Sequence, residues 1–251
     1  MEHELTGSSM SEDQREPTMN RLVVLLPVLN EALGLEWVLD RLPIKELHDR
    51  GYETAVLVMD GHSTDGTDKV AEQFDVLFME QDETGKGTAI RHGFRETMAM
   101  GADTVVMLDA DGTYHPSEML NLLKGLDNAD VVIGDRLNGA ISSDAMTRFN
   151  FVGNHLLTWF ATALYGVTTN DVCSGYWAFT REAIDRLMLN SVSFEIEAEM
   201  FASMIYQGLS FQYKPISYSA RIGDAKLGST ADGWKILRKL ITRRIFPDPL
   251  L

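Results

Sequence analysis

The segment Thr-Val-Val-Met-Leu-Asp-Ala-Asp at residues 104–111 joins a short, mostly apolar run to two carboxylates separated by one residue. A short apolar run of this kind is typical of a strand that is buried on both faces of a parallel sheet. The segment therefore predicts a strand that ends at Asp109 and carries its carboxylates at one edge of a sheet. Four similar runs occur in the first 135 residues, at 22–26, 55–59, 76–79 and 131–133.

Segments with helical spacing separate these runs. Residues 31–42 place Leu35, Val38 and Leu42 on one side of a helix, and Pro116 suits the first position of another. Further helices are predicted from about Asp65 and over 88–100. Strands that alternate with helices over residues 21–135 predict an α/β fold, with a mostly parallel central sheet flanked by helices. A chain of 251 residues is long enough for one such domain with a single core.

Composition divides the chain into parts. Residues 1–20 are polar and aperiodic, and we predict a flexible acidic tail there. Residues 21–229 form the predicted folded domain, in which the regular first half, 21–135, is followed by an irregular, aromatic-rich second half, 136–229. Residues 230–251 are predicted to contain a basic amphipathic helix.

Bulk composition excludes several classes of protein. A net charge of −15 argues against a general nucleic-acid binder. The single cysteine, Cys173, excludes an internal disulfide framework and fits a reducing compartment. No run approaches the roughly 20 apolar residues of a spanning helix, and residues 1–20 lack the apolar core of a secretory signal. We therefore expect a cytoplasmic protein whose association with a membrane is peripheral.

Asp109 and Asp111 are the sharpest candidates for a chemical role. In an extended segment, residues two apart point the same way, so both carboxylates can face one hard cation. Mg²⁺ is typically held by one or two carboxylates together with substrate phosphates. The pair therefore indicates a site for Mg²⁺ or Mn²⁺, although two solvated loop aspartates would give the same pattern.

Two further polar segments follow predicted strands. Asp60-Gly-His-Ser-Thr-Asp-Gly-Thr67 places one carboxylate at a strand end, free for a ligand, and a second, Asp65, where it can cap a helix. Gly85-Lys-Gly87 precedes a helix and could present backbone amides and the Lys86 cation to a phosphate. In open parallel sheets, ligands bind beyond the carboxyl ends of the strands, which is where these segments fall.

The order of the motifs resembles that of the family-2 glycosyltransferases, and in particular the dolichyl-phosphate mannosyl/glucosyltransferase branch. The resemblance extends over roughly residues 21–230 and implies a GT-A fold. It also implies that 21–135 is the nucleotide-sugar half and 136–229 the acceptor half. The matching segments are Pro27-x-Leu-Asn-Glu31, Asp60–Thr67, Gly85-Lys-Gly-Thr-Ala89, Asp109-Ala-Asp111, Val132-Ile-Gly-Asp-Arg136, Asp171–Phe179 and Arg221-Ile-Gly-Asp-Ala-Lys-Leu227.

The resemblance also assigns roles to residues. The residues implied to line the nucleoside pocket are Pro27, Leu29, Glu31 and Asp60. Asp109, Ala110 and Asp111 would meet the ribose, the metal and the diphosphate. The basic residues implied to meet the donor diphosphate and the acceptor phosphate are Arg136, Arg148, Arg221 and Lys226. Of all these, the expected catalytic residues are Asp111, Arg148, Arg221 and Lys226.

The sequence departs from the mannosyltransferases of the family at Thr113, where those carry a polar residue such as Gln. Asp-Gly-Thr-Tyr at 111–114 is more similar to members that use UDP-sugars than to those that use GDP-mannose. The resemblance therefore implies an inverting transfer of a sugar from a nucleotide-diphosphate donor, with UDP favoured, to a polyprenyl or dolichyl phosphate.

Alternatives remain open at this point. The same fold could act on a hydroxyl acceptor, with Glu195 or Glu197 as the base. A sugar nucleotidyltransferase also uses a parallel sheet and paired aspartates on a metal, and it would release pyrophosphate. A non-catalytic nucleotide-sugar-binding module is a third possibility, which the presence of both Asp109 and Asp111 disfavours.

The C-terminal helix is predicted to lie on an anionic membrane. Between Gly233 and Phe246 there are five basic residues and no acidic one. The predicted apolar face consists of Trp234, Ile236, Leu237, Leu240, Ile241 and Ile245. The alternative is a helix that packs on the core and leaves a solvated basic side.

Overall fold

A computed structural model describes residues 19–223 and 229–249. Lys226 and nearly all of the predicted tail lie outside the described residues. Seven strands occur within these ranges: β1 Asn20–Val28, β2 Tyr52–Asp60, β3 Leu77–Glu80, β4 Thr104–Met107, β5 Val131–Asp135, β6 Trp177–Thr180 and β7 Phe211–Pro215. The α-helices described are α1 Ala32–Leu39, α2 Ile44–Asp49, α3 Thr67–Ala71, α4 Lys86–Ala99, α5 Met119–Gly125, α6 Arg148–Tyr165, α7 Arg181–Arg186, α8 Ile196–Tyr206 and α9 Ser229–Ile245.

The strands form one sheet in the order β3-β2-β1-β4-β6-β5-β7. β1 pairs in parallel with β2 and β4, and β5 pairs in parallel with β7. β6 is antiparallel to both of its neighbours, β4 and β5. The prediction of a mostly parallel sheet flanked by helices is confirmed. Among the described strands, only β6 runs in the direction opposite to the others. Its first residues therefore lie beside the carboxyl ends of β4 and β5.

Both faces of the sheet are covered. Val23 and Leu25 of β1 belong to the apolar cluster under α4 and α8, whereas Leu22 and Val24 belong to the cluster under α1 and α5. Neighbouring strand residues point to opposite faces, so a continuous apolar run fills both clusters. This is why the runs recognised in the sequence contain so few polar residues.

Helix α9 lies where the sequence predicts a helix, but the predicted apolar face is wrong in part, because its residues are divided between the core and the solvent. Ile236 and Leu240 are buried in the core cluster. Trp234 and Ile241 remain exposed on another side of the helix. The helix therefore has two apolar sides, and periodicity alone does not reveal which of them packs on α8. The alternative, a helix packed on the core, is the arrangement observed for Ile236 and Leu240.

Candidate active site

One cavity opens at the carboxyl ends of β1 and β4. Its walls bring together eight of the residues that the sequence singles out: Pro27, Leu29, Glu31, Lys86, Asp109, Ala110, Asp111 and Arg221. Gly34 allows α1 to approach closely, because a Cβ there would lie 2.4 Å from the carbonyl oxygen of Ala110. The cavity is thus built by strand ends and by the loops that follow them.

Asp111 is buried and fixed on both of its oxygens. Its Oδ1 accepts hydrogen bonds from the amide nitrogen of Thr113, at 2.9 Å, and from the Thr113 hydroxyl. Its Oδ2 forms an ion pair with Arg221. Gly112 has a φ of +77°, a conformation that favours glycine and turns the chain so that Thr113 can reach back. Thr113 therefore orients the second carboxylate of the pair.

Asp109 is half-buried and lies beside the start of β6. Its Oδ1 is 2.7 Å from the Nζ of Lys86. A Cβ at Gly175 would lie 2.3 Å from Asp109 Oδ2, so only glycine leaves room for this carboxylate. The segment that leads into the antiparallel strand β6 thus contacts a carboxylate of a site that otherwise lies at the ends of parallel strands.

Lys86 bridges two carboxylates from opposite halves of the chain. Its Nζ lies 2.7 Å from Asp109 and 2.7 Å from Glu197 Oε1, at the start of α8. Burial disfavours the charged lysine, but the two carboxylates outweigh burial and raise the pKa of Lys86. The pKa of Glu197 is raised by burial and by Asp109, against the opposing effect of Lys86.

Glu197 was considered from the sequence only as a possible base, and its pairing with Lys86 was not foreseen. Glu197 and Lys86 are separated by 111 positions in the sequence, and no local pattern indicates such a contact. Glu195, the other candidate base, turns back to its own loop, where its Oε1 accepts from the amides of Val192 and Ser193 at 3.3 Å.

Arg221 supplies the second cation of the cavity wall. Its NH1 lies 2.8 Å from Glu31 Oε1, in addition to the contact with Asp111. Burial opposes its charge, but Asp111 and Glu31 outweigh burial and raise the pKa of Arg221. In the described part of the chain, the ion pairs around this cavity join four carboxylates (Glu31, Asp109, Asp111 and Glu197) to two cations. The formal charge of this cluster is therefore −2.

The loops after β1 and β2 are tied together at the other end of the cavity. Asp65 does not occupy the N-cap position of α3, which is Gly66. Instead its Oδ2 accepts from the amide of Ala32 at 3.0 Å and its Oδ1 from the amide of Thr67 at 3.1 Å. Asp65 thereby joins the starts of α1 and α3.

Asp60 and Gln81 carry buried oxygens at this end. Asp60 Oδ2 accepts from the Ser63 amide at 2.8 Å. Among the described residues, neither Asp60 Oδ1 nor Gln81 Oε1 has a hydrogen-bond partner. Gln81 lines the cavity, as does Gly61, the neighbour of Asp60. A buried acceptor without a hydrogen bond lowers the stability of the folded state, so a ligand that donates a hydrogen bond to it would bind favourably.

Two of the predicted basic residues lie outside the cavity wall. Arg136 is buried and forms a two-pronged pair with Asp171, with its Nε 2.7 Å and its NH2 2.8 Å from the carboxylate oxygens. Its guanidinium also lies over the ring of Tyr218. Arg148 is exposed at the first position of α6. Their contacts with phosphate stay predictions, as does that of Lys226.

The fold and this acidic cavity define an α/β protein whose ligand site lies at the carboxyl ends of its parallel strands. The sequence model of "Glycosyl transferase family 2" matches residues 23–188. The chain belongs to the family-2 glycosyltransferases, in the branch similar to the dolichyl-phosphate glycosyltransferases, and is a glycosyltransferase enzyme.

Relatives cover most of the chain. The glycosyltransferase AglJ of Haloferax volcanii is 36% identical over 237 residues, which is 93% of this chain and 75% of AglJ. The polyprenol monophosphomannose synthase of Mycolicibacterium smegmatis is 27% identical, covering 84% of this chain and 82% of its own length. The glucosyl-3-phosphoglycerate synthase of Mycobacterium tuberculosis, solved with Mn²⁺, UDP-glucose and phosphoglyceric acid, superposes with a TM-score of 0.69. At 21% identity, covering 92% of this chain and 81% of its own, it supports the fold alone.

Proposed function

We propose that this chain is an inverting hexosyltransferase that moves a sugar from a nucleotide-diphosphate donor to a polyprenyl phosphate. The observation that carries the proposal is the convergence of Asp109, Asp111, Lys86 and Arg221 on one strand-end cavity. Carboxylates for a metal and cations for phosphates are the groups that the departure of a nucleoside diphosphate needs. The related polyprenol monophosphomannose synthase supports the lipid acceptor.

The donor base would bind at the end of the cavity near Asp60 and Gln81. Their unpartnered oxygens are acceptors that suit the N–H groups of a nucleobase. Pro27 and Leu29 contribute apolar surface to the same cavity. A uracil ring offers one N–H between two carbonyls, so one acceptor oxygen and the amide group of Gln81 could satisfy it. We favour a UDP-sugar over GDP-mannose because Asp-Gly-Thr-Tyr at 111–114 is more similar to the family members that use UDP-sugars.

The carboxylate pair fits a divalent metal. Asp109 and Asp111 line the same cavity, and among the described residues a single cation, Lys86, pairs with both Asp109 and Glu197 there. Two carboxylates completed by substrate phosphates are a usual donor set for Mg²⁺, and Mn²⁺ accepts the same oxygen ligands. Asp109 and Asp111 would hold the ion, which would neutralise negative charge on the leaving diphosphate.

The chain's own cations would position the phosphates. Lys86 and Arg221 already face the cavity. We propose that they, with Arg136, Arg148 and Lys226, hold the donor diphosphate and the acceptor phosphate near one another. An acceptor oxygen then bonds to the anomeric carbon while the bond from that carbon to the diphosphate oxygen breaks. A phosphate monoester has a second pKa of about 6, so at neutral pH it attacks as an anion without a general base.

A hydroxyl acceptor is the second candidate, and Glu197 is the observation that favours it. Its pKa is raised, as a general base requires. Its carboxylate, however, lies 2.7 Å from Lys86 and thereby stabilises that cation in the cavity. We therefore assign Glu197 to the positioning of Lys86.

We also propose that the enzyme works at the cytoplasmic face of a membrane, where a polyprenyl phosphate is reached. Within the described residues, no helix combines the length and the hydropathy that crossing a bilayer requires. Peripheral association would then bring the cavity to its lipid acceptor.

The test is transfer of labelled sugar from UDP- and GDP-sugars to a polyprenyl phosphate, with Mg²⁺ or Mn²⁺. A butanol-soluble labelled lipid and free nucleoside diphosphate are the expected products. Release of pyrophosphate would indicate a nucleotidyltransferase. Label that reaches only water-soluble acceptors would contradict the lipid phosphate and return Glu197 to the role of base.

A further inference from the structure

Helix α6 presents an apolar face to solvent. Phe149, Val152, Leu156 and Trp159 are 63%, 55%, 60% and 68% exposed, and their spacing of three, four and three residues places them on one side of the helix. The opposite side packs on the core through Thr158 and Ala161, which are buried. Four large exposed apolar side chains in one stripe are more than isolated surface residues, and such patches mark interaction sites.

Helix α9 lies against the end of α6. The Tyr165 hydroxyl donates to the carbonyl oxygen of Leu240 at 2.8 Å, and Arg244 Nε donates to that of Leu164 at 3.1 Å. The outer side of α9 is also apolar, with Trp234, Ile241 and Ile245 exposed. We call the outer apolar residues of the two helices the α6–α9 surface: Phe149, Val152, Leu156 and Trp159 of α6, with Trp234, Ile241 and Ile245 of α9.

Basic side chains flank this surface. No acidic residue occurs between Thr147 and Asn170 or between Gly233 and Pro247, in a chain whose net charge is −15. Not every cation of α9 points outward, because Lys239 and Arg243 both pair with the buried Glu199. The exposed cations of the two helices are Arg148, Lys235, Arg238 and Arg244, of which Lys235 pairs with Asp232 at 3.0 Å.

We propose that the α6–α9 surface docks on an anionic lipid bilayer, with the apolar side chains of both helices in the interface. Exposed apolar residues flanked by cations are the features of a helix that lies on such a membrane. The observations disfavour a second copy of the chain in a two-fold dimer, because such an interface would place this cationic surface against the same cationic surface of the partner.

This inference deepens the proposed function, and rests on it in one respect: docking by α6 would place Arg148, its first residue, at the bilayer surface where an acceptor phosphate lies. The α9 segment alone, which the sequence indicated, is a weaker membrane site than predicted, because two of its five cations are directed inward. Helix α6 supplies the larger exposed apolar stripe.

Binding to vesicles tests the surface in the absence of any nucleotide sugar or polyprenyl phosphate. Failure of transfer and failure of docking are therefore separate results. The full chain should cosediment with vesicles of phosphatidylcholine and phosphatidylglycerol, and less with phosphatidylcholine alone. Trp159→Asp should weaken the partition coefficient by about tenfold or more, because it removes a large apolar side chain from the interface and adds a like charge.

Ile44→Asp is the matched control, since Ile44 is also exposed but lies on α2, outside the surface. This variant should bind as the unmodified chain does. Arg238→Glu should reduce binding to anionic vesicles and leave binding to phosphatidylcholine alone unchanged. Equal binding of the Trp159→Asp variant and the unmodified chain would overturn the proposal. A halved mass of that variant in sedimentation, with vesicle binding unchanged, would assign the surface to a second copy instead.

A measurement on the unmodified chain covers the case in which Trp159→Asp fails to fold. Brominated lipids quench tryptophan fluorescence on contact, and Trp159 and Trp234 are 68% and 66% exposed, whereas Trp177 is fully buried. We expect strong quenching by brominated anionic vesicles, and its loss at high salt. Unquenched fluorescence from vesicle-bound protein would place another face on the membrane and overturn the proposal.

Discussion

Glu197 and Glu199 stand two residues apart on α8, and both are buried, yet their environments differ. Glu197 pairs with Lys86, which also pairs with Asp109. Glu199 pairs with Lys239 and Arg243, and its Oε2 accepts from the Ser191 amide at 2.6 Å. One glutamate thus belongs to a cavity with more carboxylates than cations, and the other to a self-balanced cluster, in which cations of the chain itself offset the carboxylate.

The pKa values of the two side chains follow this difference. Burial raises the pKa of Glu197, helped by Asp109 and opposed by Lys86. Burial also acts to raise that of Glu199, but Lys239, the Ser191 amide and Arg243 outweigh it and lower the pKa. The cluster of Glu199 is balanced by the chain itself and holds α9 on α8. The cluster of Glu197 has excess negative charge, which a bound cation would offset.

The largest effect is expected at Asp111, on the cavity side of the comparison. Asp111→Ala removes a proposed metal ligand and the partner of Arg221, but little apolar core. We expect kcat/KM for sugar transfer to fall by roughly 10²–10³-fold or more, with the folded state retained. Transfer rates at saturating Mn²⁺ and the circular dichroism of the variant provide the measurement.

Asp111→Asn is the control for shape, because it keeps the size of the side chain and the acceptor for Thr113, and removes the charge together with the acceptor that faces Arg221. It should be nearly as inactive as the alanine variant. Retention of most of the activity in either variant at saturating Mn²⁺ would show that the carboxylate does not bind an essential metal.

The sequence predicted the first half of the fold, where each apolar strand is followed directly in the sequence by its polar residues. The apolar runs of β1, β2 and β4 are recognisable because both of their sides are buried. Their polar ends then follow from the geometry of parallel sheets, so that Asp109, Asp111 and Glu31 could be expected at one cavity before any coordinates.

Contacts between distant segments could not be predicted in this way. The Lys86–Glu197 pair joins positions 111 residues apart, and the antiparallel β6 beside Asp109 leaves no local pattern. The face of α9 that packs on the core depends on the position of α8. The hydrophobic periodicity of α9 carries no information about that position. For the same reason the aromatic-rich sequence of α6 does not reveal that its outer side, and not its inner one, carries Phe149 and Trp159.

The second prediction concerns the self-balanced cluster. Glu199→Gln should destabilise the protein by about 3 kcal/mol, because it leaves Arg243 buried without its charge partner. The transfer rate per folded molecule should change little below the unfolding temperature, since Glu199 does not line the cavity. Urea unfolding gives the stability, and transfer assays normalised to folded protein give the rate.

Glu182→Gln on the neighbouring helix α7 is the matched control, because Glu182 is exposed, its ion pair is with Arg186, and such pairs contribute little. A Glu199→Gln variant as stable as this control would mean that α9 is held by its apolar residues alone. Loss of turnover without loss of stability would instead connect Glu199 to the active site.

The smallest effects are expected in the pH dependence of stability, where the two glutamates should act with opposite signs. Because the folded pKa of Glu197 lies above its ordinary value of 4.5, the folded chain binds more protons than the unfolded chain between those two values. Stability from this group is therefore lost as the pH rises through that window. The folded pKa of Glu199 lies below 4.5, so its contribution is present above 4.5 and is lost as the pH falls.

Urea unfolding of metal-free protein, at pH values on both sides of 4.5, separates the two contributions when variants are compared with the unmodified chain. Glu197→Gln cannot ionise, so the loss of stability above 4.5 should become shallower. Glu199→Gln should instead flatten the loss on the acid side. Each pKa unit of difference between folded and unfolded states corresponds to about 1.4 kcal/mol, which urea titration resolves. If both variants flatten the same limb of the profile, the two carboxylates share one electrostatic environment, and the distinction between an acid-rich cavity and a self-balanced cluster fails.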